Sequence, residues 1–242
     1  MANYDIIGVD YADLRKPEPR IAALIDGALG EARTVVNVGA GTGSYEPEDR
    51  DVTAVEPSAE QIRQRPPLAA RAIRGHAEAL PFADKSFDAA MAVLTVHHWN
   101  DQPKGMAEMR RVARGPIVIV TFDPAHRGNW LLDYLPELAE LDDVQMPPLS
   151  AYKAWLGAVE IIPVPIPHDC ADGFLYAYWR RPHAYLDPRI RRGMSSFWAI
   201  EGADAGLARL GRDLASGAWE ERYSHLLAQD SCDLGYRLVV AR

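Results

Sequence analysis

The stretch Thr34-Val-Val-Asn-Val-Gly-Ala-Gly-Thr-Gly-Ser44 constrains this chain more than any other. A mostly β-branched run, which favours extended backbone, enters a G-x-G-x-G turn, and a second apolar run ends in Glu56. Gly39 and Gly41 carry no Cβ, so a ligand can lie against the chain where the strand turns, with Ala40 between them in the same turn. At the tip of Thr53-Ala-Val-Glu56 a carboxylate is placed to accept the hydroxyl hydrogens of a ribose. The pattern predicts a nucleotide-type binding turn on a parallel sheet.

Around that turn the chain alternates strand and helix signals. A helix is predicted from Pro19 to Leu29, with Ile21, Leu24, Ile25, Ala28 and Leu29 on one face and Gly30 as its stop. Strands are predicted at 34–38, 52–56, 72–75, 87–94, 116–122, 159–165 and 236–241. Such alternation reads as an α/β, doubly wound parallel sheet, and the wholly apolar Ile117-Val-Ile-Val120 fits a central strand buried on both faces. With 242 residues, 48% of them hydrophobic, one substantial core fits and two folds in series do not.

Composition then narrows the partners. A net charge of −8 disfavours a polyanion such as nucleic acid, which needs a basic surface. Cys170 and Cys232 make neither a metal-spaced cluster nor a disulfide framework, so a cytoplasmic protein without a metal site is expected. No apolar run approaches the roughly 18–20 residues that span a bilayer, and no signal-peptide core is visible, so no membrane partner is expected. A small-molecule partner, bound by a monomer or homodimer, is the expectation.

A glycine turn alone is what any sharp strand exit uses; later segments add to it. Gly75-His-Ala-Glu-Ala-Leu-Pro-Phe-Ala-Asp-Lys-Ser-Phe-Asp-Ala-Ala-Met-Ala-Val-Leu-Thr-Val-His-His-Trp99 and Met109-Arg-Arg-Val-Ala-Arg-Gly-Pro-Ile-Val-Ile-Val-Thr121 resemble the class I S-adenosylmethionine-dependent methyltransferases of the small-molecule type 11 group, quinone methylases among them. The resemblance covers residues 4–123 and, more weakly, the closing 235–241 strand. It implies a single Rossmann-like methyltransferase domain with a seven-stranded mixed sheet: an N-terminal lid and helix (1–30), a cofactor core (31–123), a helical, aromatic-rich cap (124–225) and a closing helix end and strand (226–242). It also implies S-adenosyl-L-methionine as cofactor, held by Gly39, Ala40, Gly41, Glu56, Ala77, Glu78 and Leu94, with Tyr11 and Arg15 on the lid. Arg15 is expected to pair with the methionyl carboxylate, and Leu80, Pro81 and Phe82 to cover the adenine. A dinucleotide oxidoreductase would share the turn and Glu56, but not the segments around Leu80 and Phe87; a sulfonium-binding protein with other chemistry, such as a cyclase, would share everything.

Three departures from the family pattern stand out. Only eight residues, Ser44 to Asp51 with Pro47 among them, separate Gly43 from the second strand, so the usual helix there is shortened or lost. Asn37 stands where an aspartate is common, and His76 where an acid commonly meets the adenine amine, leaving His76 or Glu78 as its replacement.

Methyl transfer from a sulfonium needs alignment more than acid or base, yet an acceptor O–H, N–H or acidic C–H profits from a base. Candidates at strand ends are His97, His98, His168 and Asp169, with the last two favoured because Pro163-Val-Pro-Ile-Pro-His-Asp-Cys170 makes an extended edge ending in polar side chains. Most aromatic residues, five of the 6 Trp included, lie beyond residue 124, and Trp130, Tyr176 and Trp179 are expected to line an apolar acceptor pocket for a flat ring.

Overall fold

The computed structural model describes residues 14–242, so Tyr4, Asp5 and Tyr11 lie outside the described residues. Its strands are β1 (Thr34–Val38), β2 (Asp51–Glu56), β3 (Arg71–Arg74), β4 (Ala89–Val93), β5 (Ile117–Phe122), β6 (Val159–Pro163), β7 (Ile166–Pro167), β8 (Ser231–Cys232) and β9 (Tyr236–Ala241). Seven form one mixed sheet in the order β3-β2-β1-β4-β5-β9-β6, with β9 antiparallel to both its neighbours, while β7 and β8 make a separate ribbon. The helices are α1 (Pro19–Leu29), α2 (Ala59–Arg63), α3 (Gln102–Val112), α4 (Glu137–Gln145), α5 (Leu149–Leu156), α6 (Pro188–Arg192), α7 (Ser196–Ala199), α8 (Ala203–Ser216) and α9 (Ala218–Leu227).

Strand alternation divides the core between the two faces of the sheet. Val35, Ala89, Met91, Val118, Val120, Leu238 and Val240 join the α1 and cap side, whereas Val36, Val38, Ala90, Ala92, Ile117, Ile119 and Val239 pack toward α3 and α5. That two-sided burial explains the continuous apolar runs of β1, β4 and β5. The order proceeds outward from β1 through β2 to β3 and from β1 through β4 to β5, so the winding reverses between β1 and β4. Open α/β sheets bind ligands beyond the strand carboxyl ends at such a switch point.

Each of the seven sheet strands falls where the sequence predicts one, with instructive differences at their ends. β4 begins at Ala89 because Phe87 makes only an isolated bridge to Ala113 and Asp88 is turned to β1, accepting from the Thr34 N–H at 2.9 Å and from the Thr34 hydroxyl at 3.0 Å. It ends at Val93 because Leu94 takes a left-handed φ of 51°. β6 stops at Pro163 because Pro165 and Pro167 bring no N–H to a ladder. No helix forms between β1 and β2, as the count of eight residues requires.

Candidate functional site

β1 delivers the glycine turn to the switch point. Gly39 has φ 72°, and a Cβ there would stand 2.1 Å from Thr95 Oγ1, so both conformation and close packing demand glycine. The Gly39 and Ala40 N–H groups donate to Val55 O at 2.8 and 3.1 Å, tying the turn to β2. Glu56, at the end of β2 and 5% exposed, accepts from the Gly41 N–H through Oε2 and from the Ser58 N–H through Oε1, both at 2.8 Å. The carboxylate thus sets the shape of the turn beside it.

Further lining of the cleft comes from the loop after β4. The left-handed Leu94 swings the chain out of the sheet, brings Thr95 under Gly39 and starts the short 3-10 turn Val96–His98. His97 and His98 stack with centroids 3.9 Å apart, and their roles separate: His98 lines the cleft and His97 does not. Burial pushes the His98 imidazole down to about 4, helped by the Arg15 guanidinium, and burial and His98 lower that of His97. Both rings are therefore neutral at physiological pH.

Together these walls enclose a cleft of about 260 Å³ that Gly39, Ala40, Gly41, Glu56, Ala77 and Leu94 all line. Glu78 borders it as well, but its Oε1 accepts from the Asn100 and Asp101 N–H groups at 2.7 and 3.1 Å, which fixes the loop after Trp99. His76 is exposed at the same end. The expected adenine cover is displaced: Leu80 is core and Phe82 stands edge-on to Phe87 at 4.8 Å, while the indole of Trp99 lines the cleft, packed over Gly105 of α3.

Several expectations for the cap need correction. Arg15 borders the cleft, yet its Nε donates to Asp172 Oδ1 at 2.6 Å, and Tyr45 donates its hydroxyl hydrogen to Oδ2 of the same wholly buried carboxylate at 2.9 Å. With Leu14 O accepting from the Gly173 N–H and Glu18 Oε2 from the Ala171 N–H, these contacts latch the N-terminal segment onto the 169–173 loop. His168 and Asp169 do not line the cleft. Asp169 is mostly exposed and pairs with Arg20 at 2.8 Å, and the His168 N–H donates to Asp230 O beside the β7–β8 ribbon.

Trp130, Tyr176 and Trp179 are core residues rather than pocket walls, each 6% exposed or less. Their polar atoms are satisfied internally: Trp130 Nε1 donates to Trp179 O, Trp179 Nε1 to Ile166 O, and the Tyr176 hydroxyl to Asp142 Oδ2. Trp130 is instead the hub of a ring cluster with Tyr134, Tyr185, Trp219 and Tyr223 at centroid distances of 5.2–5.9 Å. Rings saturated in this way hold the cap together.

Sequence reasoning passed over Tyr45, Gln61, Thr95 and Trp99, all on the cleft. Thr95 presses on Gly39, a contact between loops far apart in the chain that the glycine pattern by itself does not specify. Two residues that line the cleft carry a buried polar atom with no hydrogen-bond partner among the described residues, Asn37 Oδ1 and Trp99 Nε1. One acceptor and one donor of that kind, beside a backbone cradle and a carboxylate, suit a ligand as rich in hydroxyl, amine and ring-nitrogen groups as S-adenosylmethionine.

Comparison with known proteins agrees with this geometry. Residues 36–117 match a family model described as a methyltransferase domain. A proposed methyltransferase from an antibiotic biosynthesis pathway of Anabaena variabilis is 34% identical, with 96% of this chain and 100% of that one covered and a TM-score of 0.88. The demethylmenaquinone methyltransferase of Renibacterium salmoninarum is 38% identical over 122 residues, 43% of this chain and 51% of that protein. A 2-methyl-6-phytyl-1,4-hydroquinone methyltransferase of Oryza sativa subsp. japonica is 29% identical over 151 residues, 56% of this chain and 46% of that protein. The chain spans about half or less of the curated relatives it matches, from 30% to 51% of their length. Among the described residues, no helix is long and apolar enough to cross a membrane. By its fold, its glycine turn with Glu56 and its full-length likeness to the Anabaena protein, the chain belongs to the S-adenosylmethionine-dependent methyltransferase family.

Proposed function

We propose that this chain transfers a methyl group from S-adenosyl-L-methionine to a small, ring-bearing organic acceptor at an O–H, N–H or acidic C–H. The observation that carries the reading is the cleft at the β1–β4 switch point, which the Gly39–Gly41 backbone, Glu56, Thr95 and His98 all line. In this reading Glu56 accepts the ribose hydroxyls, Asn37 Oδ1 meets an amine hydrogen, and Ala77 and Trp99 border the adenine. The bound cofactor supplies an electrophilic methyl on sulfur. Tyr45, Leu94 and the latch between Arg15 and Asp172 exclude water and hold the acceptor in line.

His98 is the base in this proposal. Burial keeps its ring unprotonated and at the same time makes it a weak base, so it takes the acceptor's proton only as the bond to the methyl group forms. So weak a base serves phenol-like or enol-like protons better than alcohols. Support for a ring acceptor comes from the relatives named for menaquinone and hydroquinone methylation.

The test is a mass-spectrometric screen of hydroquinones, catechols and related phenols incubated with the protein and S-adenosylmethionine. A product heavier by one methylene, formed together with S-adenosylhomocysteine, is expected. His98→Ala should slow its formation by about 10²–10⁴-fold, whereas His168→Ala and Asp169→Asn should not. Full turnover in His98→Ala would remove the base from the scheme, and a chain that binds the cofactor yet methylates no ring in the panel would defeat the acceptor assignment.

A further inference from the structure

Resting on the cofactor assignment above, we propose that Arg65 and Glu46 are positioning residues that take the place of the missing helix and lock the glycine turn in its binding shape. In a doubly wound sheet the helix after the first strand stiffens the turn from which it springs. Here residues 39–50 contain only turns, and the support comes from side chains on two loops. Arg65 follows α2, and Glu46 lies in the segment joining β1 to β2.

Both side chains are nearly out of solvent, at 5% for Arg65 and 7% for Glu46. Arg65 Nη2 donates to Glu46 Oε2 at 2.6 Å and to Oε1 at 2.8 Å, while its Nη1 donates to Gly41 O at 3.1 Å. Glu46 in turn accepts from Asn37 Nδ2 at 3.0 Å and from the Ala70 N–H at 3.2 Å, and Ala70 O accepts from Arg65 at 3.0 Å. The Gly41 residue is thereby clamped from both ends, its N–H on Glu56 and its C=O on Arg65. The pair lies directly beneath Gly43, where φ is 97° and a Cβ would stand 3.2 Å from both Arg65 Nη2 and Glu46 Oε2, so the third glycine of the motif makes room for the brace.

An ion pair this deep is weak evidence of a need for stability, because apolar residues of similar volume often replace such pairs without loss. What apolar residues cannot do is hold the Gly41 carbonyl and, through Glu46, the amide of Asn37, which lines the cleft. The guanidinium fork reaches a carboxylate and a carbonyl together; a lysine ammonium makes the ion pair but has no rigid fork to span both.

The experiment compares the wild type, the double variant Glu46→Met/Arg65→Met and Arg65→Lys by thermal melting, calorimetric S-adenosylhomocysteine affinity and hydrogen exchange over residues 39–43. Positioning predicts that whichever variant melts within a few degrees of wild type nevertheless binds S-adenosylhomocysteine about tenfold more weakly, the scale of one hydrogen bond to a charged group, with faster exchange confined to the turn. A purely structural pair predicts the reverse, with Arg65→Lys restoring affinity and melting together. Affinity within twofold of wild type in a well-folded variant overturns the proposal, as does loss of folding in both. A wild type that binds no S-adenosylhomocysteine sinks the cofactor reading instead.

Discussion

Glu56 and Glu78 make the sharpest pair of substitutions, because each holds two backbone N–H groups beside the same cleft but at different ends of it. In Glu56→Gln the amide offers one carbonyl oxygen and sets an NH₂ where a second N–H already points, so one of the two 2.8 Å bonds to Gly41 and Ser58 is lost. A hydrogen bond to a charged acceptor is worth about 1.5–3 kcal/mol, and the neutral amide also forfeits that much toward a ribose hydroxyl. Affinity for S-adenosylmethionine and S-adenosylhomocysteine should therefore fall about 10- to 150-fold, with a melting point lower by several degrees. Glu56→Ala, which strands both donors on a buried turn, should cost more stability still. Glu78→Gln should loosen the Asn100–Asp101 loop with less than about a fivefold change in affinity, since the contacts it weakens are to that loop and not to the glycine turn. Calorimetry with S-adenosylmethionine, S-adenosylhomocysteine and NAD, on variants shown by circular dichroism to be folded, reads all three. Wild-type affinity in folded Glu56→Gln, or a larger loss in Glu78→Gln, would refute the assignment of Glu56 to the cofactor.

Other substitutions probe the frame around the site. Gly39→Ala forces a left-handed alanine into Thr95 Oγ1 and should cost about 2–4 kcal/mol of stability, and adding Thr95→Ala should recover part of it, as a melting series would reveal. Asp142 is buried and its carboxyl is raised from 3.8 to about 7, so the folded state holds a proton that the unfolded chain has released; stability should decline as pH rises from about 4 to 7. Asp142→Asn should remove that decline and leave the variant more stable than wild type at pH 8, and equal stability there would contradict the burial argument. The histidines have the opposite sign: lowered below 6.5 in the folded state, His97 and His98 protonate more easily when unfolded, so stability should fall as pH drops from about 6.5 toward 4, and His98→Gln should flatten that fall in urea titrations at stepped pH.

Which parts of this molecule could be read from the sequence follows from what kind of information each part needs. The seven sheet strands and the absent helix are local: β-branched runs of the right length, and eight residues with Pro47 inside them, decide the matter wherever the segment sits in the fold. That Gly39, Glu56 and Ala77 border one cleft follows from their places just beyond, or at, the carboxyl ends of β1, β2 and β3. Roles that depend on a partner far along the chain were not. Trp130, Tyr176 and Trp179 have the composition of a ring-binding pocket, and only the internal acceptors of their N–H and O–H groups mark them as core. Asp169 ends a proline-rich run as expected, but Arg20, 149 positions earlier, takes its charge. The place of His98 on the cleft depends on Leu94, whose left-handed backbone no sequence pattern signals, since glycine or asparagine would be the usual choice there. Holding a leucine at that angle costs about 1–3 kcal/mol, and the surrounding structure sustains it by a 2.8 Å bond from its N–H to Val120 O. That strained residue is what carries the chain out of β4, setting Thr95 against Gly39 and the neutral His98 imidazole on the cleft that Glu56 also lines.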